Sequence, residues 1–250
     1  MTDDVLIERP DAAPQVQVIR FNRPAKKNAI TRTMYAKMAQ ALKSADESPW
    51  IRATAFLGTE GCFSAGNDMV DFLAFAMGGS LGIEVLDFLH ALAGAQKPVV
   101  SGVDGLAIGI GTTIHLHCDL TIASDRSVFR TPFVDLALVP EAASSLIAPR
   151  VMGHQRAFAL LVAGEPFSAA EAREAGLIWR VTRPEEVEAE TLALAARLAA
   201  KPPEALKIAR DLMRGSGEDV SGRIAREAAH FGAQLKSDEA RAAFEAFMKR

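Results

Sequence analysis

Three short stretches of the chain bring together residue types that could act beside a carbonyl. The first is Phe63-Ser64-Ala65-Gly66-Asn67-Asp68-Met69, and the second is Gly105-Leu106-Ala107-Ile108-Gly109-Ile110-Gly111. The third runs from Thr131-Pro132-Phe133 through Val139-Pro140-Glu141 to Ser144-Ser145. In the first, a strand ends in small residues, and Gly66 gives the backbone a freedom that can turn the N–H of Asn67 into a cleft. Read alone, those seven residues are an ordinary glycine turn. The second stretch changes that reading, because its glycines precede a short helix whose first N–H groups and dipole favour an anion. The N–H of Ile110 then becomes a second donor. Two converging backbone donors form an oxyanion hole, each worth on the order of 3 kcal/mol in a transition state. Glu141 is a lone carboxylate among Leu138, Val139, Ala142 and Ala143. Burial would raise its pKa and make it a proton carrier near neutral pH, while a helix-start glutamate after a proline is the plainer reading. The combination suits proton chemistry next to a thioester carbonyl.

Other chemistries fit less well. The glycine order is GxxxGxG, without the G-x-G-x-x-G arrangement or the acidic residue about 20 positions on that dinucleotide binding needs. No GxxxxGK[ST] phosphate loop is present, and Ser64 lies in Cys-Phe-Ser-Ala-Gly instead of the G-x-S-x-G of a serine hydrolase elbow. His115, His117, Cys118 and Asp119 invite a metal, but a spacing of two on a helix points the histidines apart and no H-E-x-x-H occurs. They read as core or satisfied polar histidines, and no metal is expected. The acidic run Glu185-Glu186, Glu188 and Glu190 reads as a solvated helix start.

The elements that would position these residues follow from pattern. Residues 5–9 and 16–21 predict a hairpin across the Pro10 to Pro14 turn. Thr31 caps a helix with Met34, Met38, Ala41, Leu42 and Ala45 on one face, ending before Pro49. The apolar run 51–57 predicts a strand covered on both faces, leading into the first motif. Residues 69–92 predict a helix interrupted at Gly78-Gly79-Ser80, where substrate could enter. Strands at 98–103 and 120–123 with a helix at 111–118 between them imply a parallel crossover unit. From Ser168, which forms a capping box with Glu171, the chain turns helical: a helix ending at Gly176, then helices over 185–200 and 203–214. Ile224, Ala228, Phe231, Leu235, Ala240, Phe244 and Phe247 lie on apolar stripes in the last segment.

The 250 residues suffice for one large α/β domain, and the net charge of −3 offers no field for nucleic acid or acidic lipid. No signal-peptide pattern and no run of about 20 apolar residues is present, so neither a nucleic-acid nor a membrane partner is expected and the protein reads as cytoplasmic. Cys62 and Cys118 are too few and too far apart for a disulfide scaffold or a CxxC pair, and read as reduced.

The motifs together resemble the crotonase superfamily, the enoyl-CoA hydratase and isomerase group. The similarity runs from Asn22-Arg23-Pro24 with Lys27-Asn28-Ala29, through both glycine motifs, to Cys118-Asp119-Leu120, Lys236-Ser237-Asp238-Glu239 and Ala243-Phe244. It implies an α/β fold, a crotonase/ClpP-like spiral of ββα units over residues 1–190, with a helical C-terminal oligomerisation region over 191–250 that makes homotrimers or homohexamers. It implies that Asn67 and Ile110 donate to the thioester oxygen, that Ala65, Gly66, Asn67, Asp68 and Met69 border the CoA adenine, that Gly109 is among the substrate-binding residues, and that Lys26 or Lys27 approaches the CoA phosphates. Hydratases of the family hold a water between two glutamates, and the matching positions here are Thr113 and Phe133. The pattern of Thr131-Pro132-Phe133, Leu136, Pro140-Glu141 and Ser144-Ser145 is instead similar to the peroxisomal-type Δ3,Δ2-enoyl-CoA isomerases, in which the glutamate matching Glu141 is the single acid/base. The resemblance implies an isomerase acting on an acyl-CoA thioester, with CoA as part of the substrate and no separate cofactor. The rivals are hydration or hydrolysis by a water that Glu141 activates, and a non-catalytic acyl-CoA-binding protein. The Phe231, Leu235, Phe244 and Phe247 stripe exceeds what a short tail needs, and so predicts self-association.

Overall fold

The computed structural model describes residues 3–72, 82–215 and 218–248. The chain opens with an antiparallel pair, β1 (Val5–Glu8) and β2 (Val16–Phe21), with Val5 opposite Phe21. Helix α1 (Arg32–Glu47) follows, capped as its sequence predicts: Thr31 Oγ1 accepts from the Met34 N–H at 3.4 Å, and Met34, Met38, Leu42 and Ala45 are buried. Strand β3 (Ala53–Leu57) is wholly buried and leads into β4 (Cys62–Ser64).

The pattern then repeats. Helix α2 (Ile83–Gly94) precedes β5 (Val99–Val103) and β6 (Leu106–Ile108), and the four-residue α3 (Ile110–Thr113) precedes β7 (Leu120–Ser124) and β8 (Val128–Arg130). Two further strands, β9 (Phe167–Ser168) and β10 (Arg180–Thr182), complete the sheets. From β3 onward each pass adds one strand to each of two sheets. One has the order β1-β2-β3-β5-β7-β10 and the other β4-β6-β8-β9. Strands β3, β5 and β7 pair in parallel, as do β4, β6 and β8. This two-sheet winding is the spiral of ββα units.

Strand β3 is covered on both faces because its side chains alternate. Phe56 points into the larger core with Met38 and Leu42 of α1. Ala53, Ala55 and Leu57 face a second cluster with Leu194, Ala195 and Ala199 of α6 (Val187–Ala199). The division expected after residue 190 thus falls inside a helix that covers the main sheet. The remaining helices are α4 (Ser144–Leu161, broken at Gly153), α5 (Ala169–Glu174), α7 (Pro203–Arg214), α8 (Glu218–Leu235) and α9 (Asp238–Met248). Ser168 and Glu171 form the predicted capping box at the start of α5, with the Ser168 N–H donating to Glu171 Oε2 at 2.8 Å.

Two expectations change, and a third falls on residues that are not described. The helix predicted over 111–118 splits into α3 and a 3-10 turn at Ile114–His117. The substrate gate at Gly78-Gly79-Ser80 lies outside the described residues. The apolar stripe is not surplus surface: Phe231, Leu235 and Phe244 are buried within the chain, and the rings of Phe231 and Phe244 meet Phe72 edge-on at 5.7 and 5.8 Å. Only Phe247 of that set is exposed, at 53%. Among the described residues, no helix is long and apolar enough to cross a membrane, and no group of three or more His, Cys, Asp or Glu could hold a metal ion. Both cysteines are free thiols.

Candidate active site

The loop after β4 is fixed by its own backbone. The Ala65 N–H donates to Lys27 O at 2.9 Å, and the Gly66 N–H donates to Ser64 Oγ, which in turn donates to Asn28 O. The Ile30 N–H donates to Gly66 O at 2.8 Å and the Asp68 N–H to Ile30 O at 2.9 Å. In this parallel bridge residues 66 and 68 face Ile30, so the N–H of Asn67 between them points the other way. Gly66 carries φ +89°, and a Cβ there would lie 2.9 Å from Ile108 O, so this position requires glycine. The Asn67 side chain is held separately, its Oδ1 accepting from the buried Tyr35 hydroxyl at 2.6 Å.

The second loop packs directly on the first. A Cβ on Gly111 would stand 2.8 Å from Ser64 O, so α3 can approach β4 this closely only without a side chain. The Gly109 N–H donates to Arg130 O, and Gly109 O accepts from the N–H groups of Thr112 and Thr113. Ile110 is the first residue of α3, where an N–H has no acceptor inside the helix.

Glu141 is buried, 6% exposed, and Thr113 Oγ1 donates to its Oε1 at 2.7 Å. Burial pushes its carboxyl up to about 7, with the nearby Glu227 adding to the rise, while the bond from Thr113 opposes it. The turn that carries Glu141 is conformationally costly: Ala142 and Ala143 both lie in the left-handed region, at φ +61° and +54°. It is held by the Ser144 N–H donating to Glu141 O at 3.0 Å and by His117 Nε2 donating to Ala142 O at 2.7 Å. Burial pushes His117 down to about 4, so it is neutral at pH 7. His115 is likewise a core histidine, its Nδ1 2.9 Å from Ser101 Oγ and its pKa pushed down by burial to about 3.

Asn67 and Glu141 line the same cavity. Its other walls are Ala142, Val85, Leu86 and Leu89 of α2, and Ile224, Ala228 and Phe231 of α8. Ile110 does not line it, but sits in the same short helix as Thr113. Lys26 and Lys27 are exposed, and Lys27 lies beside the start of the loop, its carbonyl accepting from the Ala65 N–H. Asp68 is engaged within the fold. Burial alone would raise its carboxyl, but the Arg23 guanidinium at 2.6 Å and the Val70 N–H hold it below the usual range. Met69 is half-buried against the core. At position 133, Phe133 is buried.

Several residues that shape the site had no distinct signal in the sequence. Asn28, fully buried with φ +53°, donates to Cys62 O and Phe63 O and accepts from the Arg23 N–H. Tyr35, His117 and Glu227 act through partners distant in the chain. Asn28 lies in the motif Lys27-Asn28-Ala29, and His117 in the cluster with His115, Cys118 and Asp119 that reads as core histidines.

A family profile described as enoyl-CoA hydratase/isomerase matches residues 11–250. Enoyl-CoA delta isomerase 2 of Rattus norvegicus is 38% identical over 202 residues, 78% of this chain and 51% of the rat protein. Peroxisomal enoyl-CoA delta isomerase 3 of Mus musculus is 34% identical over 218 residues, 84% of this chain and 67% of its own. The chain thus spans about half the length of the rat relative. The solved structure of Pseudomonas aeruginosa OdaA is 37% identical, superposes with a TM-score of 0.93 and covers 100% of both chains. The chain belongs to the enoyl-CoA hydratase/isomerase family.

Proposed function

We propose that the protein is an acyl-CoA isomerase that moves the double bond of a 3-enoyl-CoA from C3=C4 to C2=C3, with Glu141 as its one acid–base group. The observation that carries this reading is the placement of Glu141: among the described residues it is the one carboxylate lining a mostly apolar cavity that Asn67 also lines, and its pKa of about 7 suits it to take and return a proton. Thr113 and Phe133 occupy the positions where the hydratase pattern would place carboxylates. The names of the rat and mouse relatives agree with this choice.

In the proposed reaction, ionised Glu141 removes a C2 proton, the electrons of that C–H bond form a C1=C2 bond, and the carbonyl π electrons move onto the thioester oxygen. As the oxygen re-forms C=O, the C1=C2 electrons shift to C2=C3 and the C3=C4 electrons take a proton at C4 from the protonated Glu141, which leaves the enzyme unchanged. Between the two transfers the charge lies on the thioester oxygen of a dienolate, where the N–H groups of Asn67 and Ile110 would hold it. Ala65, Gly66, Asp68 and Met69 would frame the CoA end, with Lys26 or Lys27 near the CoA phosphates, and Gly109 would contact the substrate beside Ile110. Neither a metal nor a redox cofactor is needed for this proton shuttle.

The test is a panel of CoA thioesters followed by mass spectrometry of the products. Conversion of a 3-enoyl-CoA to the 2-enoyl isomer supports the reading. 3-Hydroxyacyl-CoA as the main product would make the enzyme a hydratase, free CoA would make it a hydrolase, and binding without turnover would make it an acyl-CoA carrier.

A further inference from the structure

Helix α4 begins without a cap of its own. The residue before it is Ala143, in the left-handed region and without a side chain that could accept from the first N–H groups. The missing acceptor comes from another helix: Glu227 of α8 reaches across, and its Oε1 accepts from the Ser145 N–H at 3.1 Å and from Ser145 Oγ. Arg223, one turn earlier on α8, donates from Nη1 to the same Ser145 Oγ at 2.9 Å. A carboxylate at a helix N-terminus satisfies orphan N–H groups and complements the helix dipole.

The location of this clamp matters more than its strength. Ser145 lies four residues beyond Glu141, across the two strained alanines. Glu227 shares its helix with Ile224, Ala228 and Phe231, three walls of the cavity that Glu141 lines. Glu227 itself does not line that cavity. It is 6% exposed, and its Oε2 is buried with no hydrogen-bond partner among the described residues. Nothing in the proposed reaction uses it. A buried carboxylate with one unpartnered oxygen is costly to keep unless it serves a purpose.

We propose that Glu227 is a positioning residue for Glu141: it clamps the head of α4, fixes the turn that carries the base, and links that turn to the cavity wall formed by α8.

The same placement makes Glu227 an electrostatic neighbour. Its negative charge raises the pKa of Glu141, and burial raises that of Glu227 itself. The other groups around the base are Tyr35 on α1, whose hydroxyl faces Asn67, and His117, neutral and bound to Ala142 O. Arg214 of α7 lies behind His117, its Nη2 donating to His117 O, and Arg223 is turned to Ser145. None of them supplies a negative charge, so Glu227 is the group whose removal should lower the proton affinity of the base.

Two variants separate the roles. Glu227→Gln keeps an oxygen for Ser145 and removes the charge, whereas Glu227→Ala removes both. The proposal rests on Glu141 being the base, so one readout is independent of turnover: the carboxyl titration of Glu141 in protein labelled with 13C-glutamate, its signal identified by loss in Glu141→Gln. Glu227→Gln should move that midpoint down by about half a unit to one unit. Turnover of a 3-enoyl-CoA should fall about tenfold or more in kcat for Glu227→Ala, with KM within about twofold, and Gln should restore most of the loss. An unchanged midpoint in Glu227→Gln, a loss carried by KM, or an Ala defect that Gln does not rescue would overturn the proposal. If the wild type does not isomerise a 3-enoyl-CoA at all, the isomerase reading falls, while the titration still decides whether Glu227 acts on Glu141.

Discussion

Glu141 is held where its charged form is disfavoured, and that has a cost the fold must carry. In the unfolded chain its carboxyl would titrate near 4.5, and in the fold near 7, so the native state binds the extra proton between those values. A group whose folded pKa is raised stabilises the fold at low pH, and this contribution is lost as pH rises through the folded value. The loss amounts to about 3 kcal/mol above pH 7. Glu141→Gln does not titrate, so in thermal melts it should gain several degrees over wild type at pH 8, and the gap should close by pH 5. Equal melting temperatures at both values would show that the carboxyl is not perturbed. Asn67 makes the complementary case. Its N–H survives in Asn67→Ala, so activity should stay within several-fold of wild type, whereas Asn67→Pro deletes the donor and should lose most of it. The Ala variant nevertheless strands the buried Tyr35 hydroxyl, and should lose about 1–3 kcal/mol of stability in a denaturant titration. If Asn67→Ala were as inactive as Asn67→Pro, the side chain and not the backbone would be the working group.

At the scale of elements, the site depends on how closely α3 and β4 approach. Gly111→Ala would put a methyl group 2.8 Å from Ser64 O and must push the two apart. Because α3 carries one proposed donor and the loop leaving β4 carries the other, kcat should fall about 100-fold, the scale of losing one oxyanion contact. A variant with wild-type kcat would show that the two loops do not act as a unit. Which elements could be read from sequence follows from the range of their interactions. Helix α1 is announced by Thr31 and its apolar spacing, α7 begins at the predicted Pro203, and the β1–β2 pair is a local hairpin. Strands β4, β6 and β8 have three residues each, too few to show alternation, and exist because parallel neighbours about 20 to 45 residues away pair with them. The site divides in the same way. Asn67, Ile110 and Glu141 stand out as candidates because their motifs are contiguous, and of these Asn67 and Glu141 line the cavity. Tyr35, His117 and Glu227 matter only through partners 32, 25 and 82 residues away.

For the molecule as a whole, the apolar stripe of the C-terminal helices turns inward, where Ile224 and Phe231 wall the cavity and Phe244 packs on Phe72. Self-association, expected as a trimer or a dimer of trimers, therefore needs other surface. Ile208 and Leu212, one turn apart on α7, are 58% and 79% exposed, and Met213 beside them is 90% exposed. Sedimentation at micromolar concentration should show an oligomer for wild type and a smaller species for Leu212→Glu with Met213→Glu. A wild-type monomer, or an oligomer indifferent to both changes, would contradict this. Among the described residues the spiral brings one carboxylate, Glu141, to the cavity, and the direct test of its role is the first turnover of a 3-enoyl-CoA by wild type and Glu141→Gln, with binding of a non-reactive acyl-CoA measured alongside by calorimetry. The variant should bind within a few-fold of wild type yet form the 2-enoyl product at least about 100-fold more slowly, whereas undiminished isomerisation by Glu141→Gln would remove Glu141 from the reaction.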